Sequence, residues 1–421
     1  MSNAQQRLAA IASQVAPGGD SPAKKKLLEK NPDDVVITLA VRTPLTKAWK
    51  GGLKDTKLDD LLISLLTTVR EKSKLDPKLV EDVCLGNVLH PSATYMIRSA
   101  VLAAGYPETT AASVVNRFCS SGLLAIQQIA NQIRAGSIDI GIAVGAESMS
   151  TNADNGAPEF SEKILNHPLA SQNLQPMGQT SENVAAQFNI SRAAHDKFAA
   201  SSFQKAERAQ KEGWFKDEIV PVETVVIDPK TKEKKRIVVD RDDGIRYGTT
   251  EETLSKIRSA FPQWPPSRTT GGNASQITDG AAALVLMKRS RAQELGQPIL
   301  GKFVGATVVG LEPRIMGIGP TYAIPKILAK TGLTKEDVDI FEINEAFASM
   351  GVYCVETLGL PPEKVNPRGG AIAFGHPLGC TGARQVVTAL SELRRQNKRI
   401  AVTSMCVGTG MGMAGVFVSE H

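Results

Sequence analysis

The chain alternates strand-like and helix-like segments in two series whose corresponding features lie about 255 residues apart. Glu81-Asp82-Val83 leads into an apolar run, and Glu336-Asp337-Val338 leads into Ile340-Phe341-Glu342-Ile343. Cys119 precedes a helical pattern from about Leu123 to Ala135, followed by strand-like Ile138 to Val144. His376 precedes a helical pattern from Thr381 to Arg395, followed by strand-like Ile400 to Ser404. A repeat on this scale points to a duplicated domain. Strand–helix alternation predicts a largely parallel sheet covered by helices, an α/β fold. Under the duplication, Cys119 and His376 occupy equivalent turns in two related halves.

The remaining segments complete this plan. Val35 to Ala40 and Asp82 to Asn87 read as buried strands, Leu58 to Val69 as an amphipathic helix, and Ser99 to Gly105 as a helical segment stopped by glycine. Residues 32–153 with 271–292 form the first half, and 293–421 the second. Residues 154–270 differ in character and read as an insertion. It holds a helix from Ser181 through Lys211 and a hairpin-like stretch from Val222 to Val239. Gly271-Gly272-Asn273-Ala274-Ser275, a helix, and a strand from Ala283 to Met287 then lead back to the core.

At 421 residues the chain exceeds one comfortable hydrophobic core. With 42% hydrophobic and 22% charged residues it has the composition of a soluble globular protein. Aromatic residues make up only 5%, and Lys230, Lys232, Lys234, Lys235 and Arg236 lack interleaved aromatics. That cluster reads as a solvated hairpin tip rather than a nucleic-acid surface. No apolar stretch approaches the ~20 residues that span a bilayer. The five cysteines, Cys84, Cys119, Cys354, Cys380 and Cys406, form neither a secreted disulfide framework nor a zinc-type pair, which fits a reducing compartment.

Two cysteines and one histidine stand out by their surroundings. Cys119 lies in Asn116-Arg117-Phe118-Cys119-Ser120-Ser121-Gly122, at the start of a helix whose dipole and free N–H groups favour a thiolate. His376 lies between Gly375 and Pro377, and its imidazole suits removal of a thiol proton. Cys406 ends a strand and runs into Gly408-Thr409-Gly410, whose N–H groups suit an oxyanion. Cys84, Cys354 and Cys380 read as core residues. Asn344-Glu345-Ala346-Phe347 follows an apolar strand at the sheet end where α/β proteins bind ligands.

These blocks, with Gly375-His376-Pro377-Leu378-Gly379 and Cys406-Val407-Gly408-Thr409-Gly410, resemble the four signature blocks of the thiolase family, in the family's order over residues 33–418. That order includes Met177-Gly178-Gln179-Thr180-Ser181-Glu182-Asn183-Val184-Ala185, and Thr180-Ser181-Glu182-Asn183 and Asn273-Ala274-Ser275-Gln276 are most similar to the family's peroxisomal 3-ketoacyl-CoA subgroup. The resemblance implies duplicated βαβαβαββ halves in a layered αβαβα core, with the insertion forming a CoA-binding loop domain. It implies thiolytic cleavage of 3-ketoacyl-CoA, with coenzyme A as co-substrate, no tightly bound cofactor and no metal. Cys119 is then the nucleophile, His376 the base and Cys406 the second acid–base. Asn344 holds a water for one oxyanion, and the N–H groups of Cys119 and Gly408 form the other hole. Met177, Arg246, Gly271, Ser275 and Phe347 are expected along the CoA channel.

A homodimer is expected on the same ground. Residues 1–31 read as a targeting or flexible N-terminus. Within it, Arg7-Leu8, five residues, and Gln14-Val15 resemble the signal read by the peroxisomal import receptor, which places the protein in the peroxisomal matrix. Decarboxylating condensing enzymes share the duplicated fold but lack a second catalytic cysteine, so Cys406 argues against them. The same blocks are compatible with an acetoacetyl-CoA thiolase. A non-catalytic thiolase-like lipid carrier would not need intact Cys119, His376 and Cys406.

Overall fold

The computed structural model describes residues 20–421, so the signal-like segment at residues 7–15 lies outside the described residues. The first series runs β1 (Val35–Arg42), α1 (Leu58–Ser73), β2 (Asp82–Gly86), α2 (Ala93–Ala103), β3 (Ala111–Val115), α3 (Ser121–Ala135) and β4 (Ile140–Ser148). Next come α4 (Met177–Gln187), α5 (Arg192–Lys211) and a two-stranded ribbon of β5 (Val222–Ile227) and β6 (Lys234–Val239). The chain returns through β7 (Thr278–Lys288). The second series is β8 (Gly301–Gly310), α6 (Pro320–Thr331), β9 (Ile340–Ile343), α7 (Ala348–Leu358), α8 (Leu378–Arg395), β10 (Ile400–Val407) and β11 (Met411–Ser419).

The strands β1-β7-β4-β2-β3 and β9-β10-β11-β8 join through a short pairing of Val36 with Lys302 and Ile37 with Gly301. With the short strand Thr46–Lys47 paired to β7, they form a ten-stranded sheet. The sheet is mixed rather than largely parallel. Pairs β2/β3, β2/β4 and β9/β10 are parallel, whereas β7 and β11 run antiparallel to both their neighbours. The reason is local: β10 and β11 are joined by a tight turn at Gly408-Thr409-Gly410, which reverses the chain instead of crossing over. In the second half, the counterpart of β3 shrinks to a single bridge between Phe341 and Val365.

Period-two alternation explains the layers. Along β7, Ala281, Ala283, Val285 and Met287 face α1 and α2, while Ala282, Leu284 and Leu286 face α3 and α8. In the second half, Val402, Val416 and Val418 pack on α6, while Met405, Met413 and Phe417 face the central helices. Helix α8 touches strands of both halves and is buried from Gly379 through Leu393. Two sheet halves with helices outside and between them make the five layers αβαβα.

The central pair α3 and α8 meets by backbone. A Cβ on Gly122 would lie 2.6 Å from the nitrogen of Ala383, and one on Gly382 would lie 2.3 Å from the nitrogen of Leu123. Only glycine allows the first turns of the two helices to approach this closely. A buried ion network ties the insertion to both halves: Arg42 binds Glu218 at 2.7 Å and Asp242 at 2.8 Å, and Arg368 binds Glu218 at 3.1 Å and Glu392 at 2.7 Å.

Two expected helices differ. The pattern from Ser181 through Lys211 is broken into α4 and α5, with Asn189 in the left-handed region at φ 54° and Ser191 capping α5. No helix follows Ser275; β7 begins at Thr278, because Asp279 to Ala282 pair with β4. The lysine-rich cluster is divided between the ribbon's turn and exposed positions of β6. Gly382→Ala is expected to destabilise the fold by about 1–3 kcal/mol through overpacking. A denaturant midpoint equal to the wild type would contradict this contact.

Candidate active site

Cys119 and His376 each stand one residue ahead of a helix cap, Ser120 for α3 and Pro377 for α8. The contact of the two helices therefore brings their N-terminal ends together. Around Cys119 the chain makes a sharp turn. Phe118 adopts φ 45°, its N–H donates to Asn116 Oδ1 at 2.9 Å, and Ser121 Oγ donates to its carbonyl at 2.7 Å. The turn lifts Cys119 out of the sheet end, where it remains only 8% exposed.

The expected lowering of the Cys119 thiol by the helix N-terminus does not prevail. Burial pushes the thiol up to about 12 and outweighs the N–H groups of Gly408 and Cys119 itself, which act to lower it. Those two N–H groups nevertheless converge at the sulfur, the placement required to bind an oxyanion formed on a carbon attached there. Phe118 packs beside Gly408, where an added Cβ would lie 3.3 Å from its ring.

His376 is placed by a separate set of contacts. Gly375 has φ 111°, a conformation open to glycine, and an added Cβ would strike Thr278. The His376 N–H faces the Gln276 carbonyl at 3.1 Å and Thr278 Oγ1 at 3.2 Å. Its Nδ1 lies 2.5 Å from Thr381 Oγ1, and its Nε2 lies 3.3 Å from Asn344 Nδ2. An amide NH2 only donates, so Nε2 presents its lone pair to Asn344 and the ring proton resides on Nδ1. Nδ1–H then donates to Thr381, whose hydroxyl passes its own proton toward the Pro377 carbonyl at 3.3 Å. Burial, and next the charge of Arg384, lower His376 to about 3. The helix N-terminus acts in the same direction, since it disfavours a cation. The resting pair is a neutral thiol and a neutral base.

Asn344 follows β9 directly and is buried, with its N–H on the Ser404 carbonyl at 2.9 Å. Its Oδ1 has no hydrogen-bond partner among the described residues. A buried acceptor left open beside a histidine Nε2 suits a bridging water. Cys406 is 1% exposed at the end of β10, with its sulfur 3.9 Å from Met350 Sδ and in a cluster with Met316, Ala346 and Phe347. Burial, and next the proximity of Cys119 and Cys354, raise its thiol well above the usual range.

The five residues expected along the CoA channel fall into linked groups. Arg246 is exposed, stacks 4.7 Å over Phe203 and donates to the Gly271 carbonyl at 3.0 Å. Ser275 and Phe347 are brought together by a bridge between Ala274 and Phe347 and by the Ser275 N–H on the Ala346 carbonyl at 2.9 Å. Met177 opens α4, which Ser181 Oγ ties to Thr269 and Ser349 at 2.9 and 2.8 Å. Sequence reasoning missed Thr381, Thr278 and Gln276 as supports of His376. A threonine five residues beyond a histidine carries no motif, and the other two lie about a hundred residues away. Glu147 was missed as well: buried, it accepts from the Gly379 N–H at 3.0 Å and from Asn87, Val88 and Leu89, and so joins the end of β4 to the start of α8.

A cysteine and a histidine at the paired helix ends, with convergent N–H groups and a second cysteine, are an arrangement suited to covalent acyl transfer. The thiolase N-terminal domain matches residues 35–290 and the thiolase C-terminal domain matches residues 297–419. The chain belongs to the thiolase family. It is 54% identical over 404 residues to the peroxisomal 3-ketoacyl-CoA thiolase of Yarrowia lipolytica, covering 95% of this chain and 97% of that one. It superposes on the crystal structure of the dimeric peroxisomal thiolase of Saccharomyces cerevisiae with a TM-score of 0.87 at 48% identity, covering 94% of this chain and 100% of that chain. A second structure, of the peroxisomal 3-ketoacyl-CoA thiolase from Saccharomyces cerevisiae, is described as five-layered and built from two core domains of identical topology. It aligns with a TM-score of 0.76 at 44% identity, covering 93% and 100%.

A neutral Cys119–His376 pair has a pH signature. His376 stays unprotonated above about 3, and Cys119 ionises unaided only near 12. Alkylation of Cys119 by iodoacetamide is therefore expected to show no inflection from about pH 5 to 8, where an ordinary His would titrate near 6.5. An inflection near 6.5 would contradict the neutral pair.

Proposed function

We propose that the chain catalyses CoA-dependent cleavage of 3-ketoacyl-CoA to acetyl-CoA and an acyl-CoA shortened by two carbons, the closing step of fatty-acid β-oxidation, through an acyl-Cys119 intermediate. The observation that carries this reading is the convergence of the Gly408 and Cys119 N–H groups on a buried sulfur, with neutral His376 at the adjoining helix end.

His376 Nε2 takes the Cys119 proton as sulfur attacks C3. The C2–C3 bond then breaks, its electron pair passes into the acetyl-CoA enolate, and the Cys406 thiol protonates C2. A second CoA gives its thiol proton to the Cys406 thiolate and attacks the acyl group on Cys119. The C–S bond to Cys119 breaks, and the departing sulfur recovers its proton from His376. Both cysteines and the histidine end as they began. The enolate oxygen is stabilised by His376 and the water held on Asn344 Oδ1, and the tetrahedral oxyanions at the acyl carbon by the N–H groups of Cys119 and Gly408.

CoA lies between the insertion and the core, along Met177, Arg246, Gly271, Ser275 and Phe347, with Arg246 toward the nucleotide end. No tightly bound cofactor or metal takes part in these steps. The protein acts as a homodimer in the peroxisomal matrix, imported through Arg7-Leu8 and Gln14-Val15. Support for the dimer comes from β3, the sheet's edge strand, which is largely half-buried beside exposed Tyr95 and Leu102 of α2. An open edge of this kind calls for a cover.

The test is CoA-dependent loss of the 3-ketoacyl-CoA enolate absorbance. Wild type is expected to turn over and Cys119→Ala to show none; full turnover by that variant would refute the nucleophile. Asn344→Ala is expected to lower kcat by about 10²–10³ with little change in KM. An unchanged kcat would remove Asn344 from the oxyanion site.

A further inference from the structure

Gln276 is half-buried where the insertion rejoins the core, and both its side chain and its main chain hold catalytic parts in place. Its Nε2 donates to the carbonyls of Gly244 at 2.9 Å, Ala373 at 2.9 Å and Ile372 at 3.1 Å. Its carbonyl accepts from the His376 N–H at 3.1 Å and from Thr278 Oγ1 at 2.6 Å. Two amide hydrogens thus serve three carbonyls, so one hydrogen is shared, and the group has no donor to spare.

The two segments joined in this way have different tasks. Ile372 and Ala373 belong to the short helix Ala371–Phe374, which leads through Gly375 into His376. Gly244 lies in the insertion, two residues before Arg246. The approach there is close: an added Cβ on Gly244 would stand 3.1 Å from the Ala373 carbonyl and from the Gln276 amide. A movement of the Gly244–Arg246 segment therefore passes to the His376 turn through one amide group, with no intervening flexible chain.

We propose that Gln276 is a positioning residue that couples the Arg246 segment of the insertion to the placement of the His376 imidazole. The coupling rests on the reading of His376 as the base for Cys119. CoA drawn against Arg246 then sets the base that activates the nucleophile, so that occupancy of the channel and readiness for attack are linked. The other anchor of the turn, Thr278 Oγ1 on the His376 N–H, touches His376 but not Gly244, and it separates positioning from coupling.

The test compares Gln276→Met, which keeps length and removes the donors and acceptor of the side chain, with Thr278→Val. Measured for each are the iodoacetamide rate at Cys119 without substrate, kcat, KM for CoA, and the thermal midpoint. Gln276→Met is expected to lower the alkylation rate and kcat by about ten- to a hundredfold and to raise KM for CoA. Thr278→Val is expected to lower the alkylation rate while leaving KM for CoA at the wild-type value. A wild-type alkylation rate in folded Gln276→Met overturns positioning, and an unchanged KM for CoA in that variant overturns coupling. Should Gln276→Met fail to fold, Gln276→Glu, which keeps the length but turns the donor into an acceptor, is held to the same outcomes, and a wild-type rate in Thr278→Val overturns the anchoring of the turn. Failure of the thiolase reading would be visible separately, as absence of turnover in the wild type with alkylation intact.

Discussion

Everything at the site depends on how closely two buried helices approach. With side chains at Gly122 and Gly382, α3 and α8 would be forced apart at their first turns, the end where Cys119 and His376 sit. The two residues come from different halves of a duplicated chain, some 257 positions apart, so no local turn can set their relation. Packing sets it instead. Both helices lie between the sheet halves and are held by apolar side chains from each, with the Arg42–Glu218–Arg368 network closing the insertion over them. A close-packed interior transmits such constraints well, because it leaves little slack for a helix to shift.

The same burial decides the electrostatics. A helix N-terminus stabilises an anion by about 0.3–1 kcal/mol at exposed sites, up to about 2 kcal/mol where partly buried. Desolvation of a fully enclosed thiolate exceeds that, and Cys119 stays a thiol. The helix field that is too weak to ionise Cys119 still works against an imidazolium at His376, alongside burial and Arg384. A neutral base facing a neutral acid creates no buried charge at rest. Charge separates as bonds form, where the N–H groups of Cys119 and Gly408 and the amide of Asn344 are already in place. Cys406, held high by its methionine-lined surroundings, is suited to give a proton only to a strongly basic carbon.

Much of this was legible in the sequence. The repeat between residues 81 and 336 announced the duplicated fold, and the glycine-rich runs around His376 and Cys406 marked the site. Periodicity located most strands and helices of both halves. It failed where backbone pairing overrode local pattern: β7 takes Thr278 to Ala282 into the sheet despite their weak strand character, and Asn189 interrupts what reads as one helix. Sheet direction was misjudged because β8 and β11, which pair antiparallel with each other and follow a loop or tight turn rather than a crossover helix, were not read as strands. The balance at the Cys119 thiol was misjudged because a helix start is visible in sequence and full burial is not. Thr381, Thr278 and Gln276 were invisible for a simpler reason. They act through single hydrogen bonds to a histidine whose neighbours are set by three-dimensional packing.

The central claim is that one sulfur, placed by that helix contact, carries the acyl group between two CoA thiols. Mass spectrometry of the protein mixed with a 3-ketoacyl-CoA in the absence of free CoA tests it most directly. The predicted result is an adduct with the mass of the shortened acyl group, confined to the peptide containing Cys119 and discharged on addition of CoA. An adduct on Cys406 in place of Cys119, or turnover with no acyl adduct on Cys119 under any quench, would contradict it.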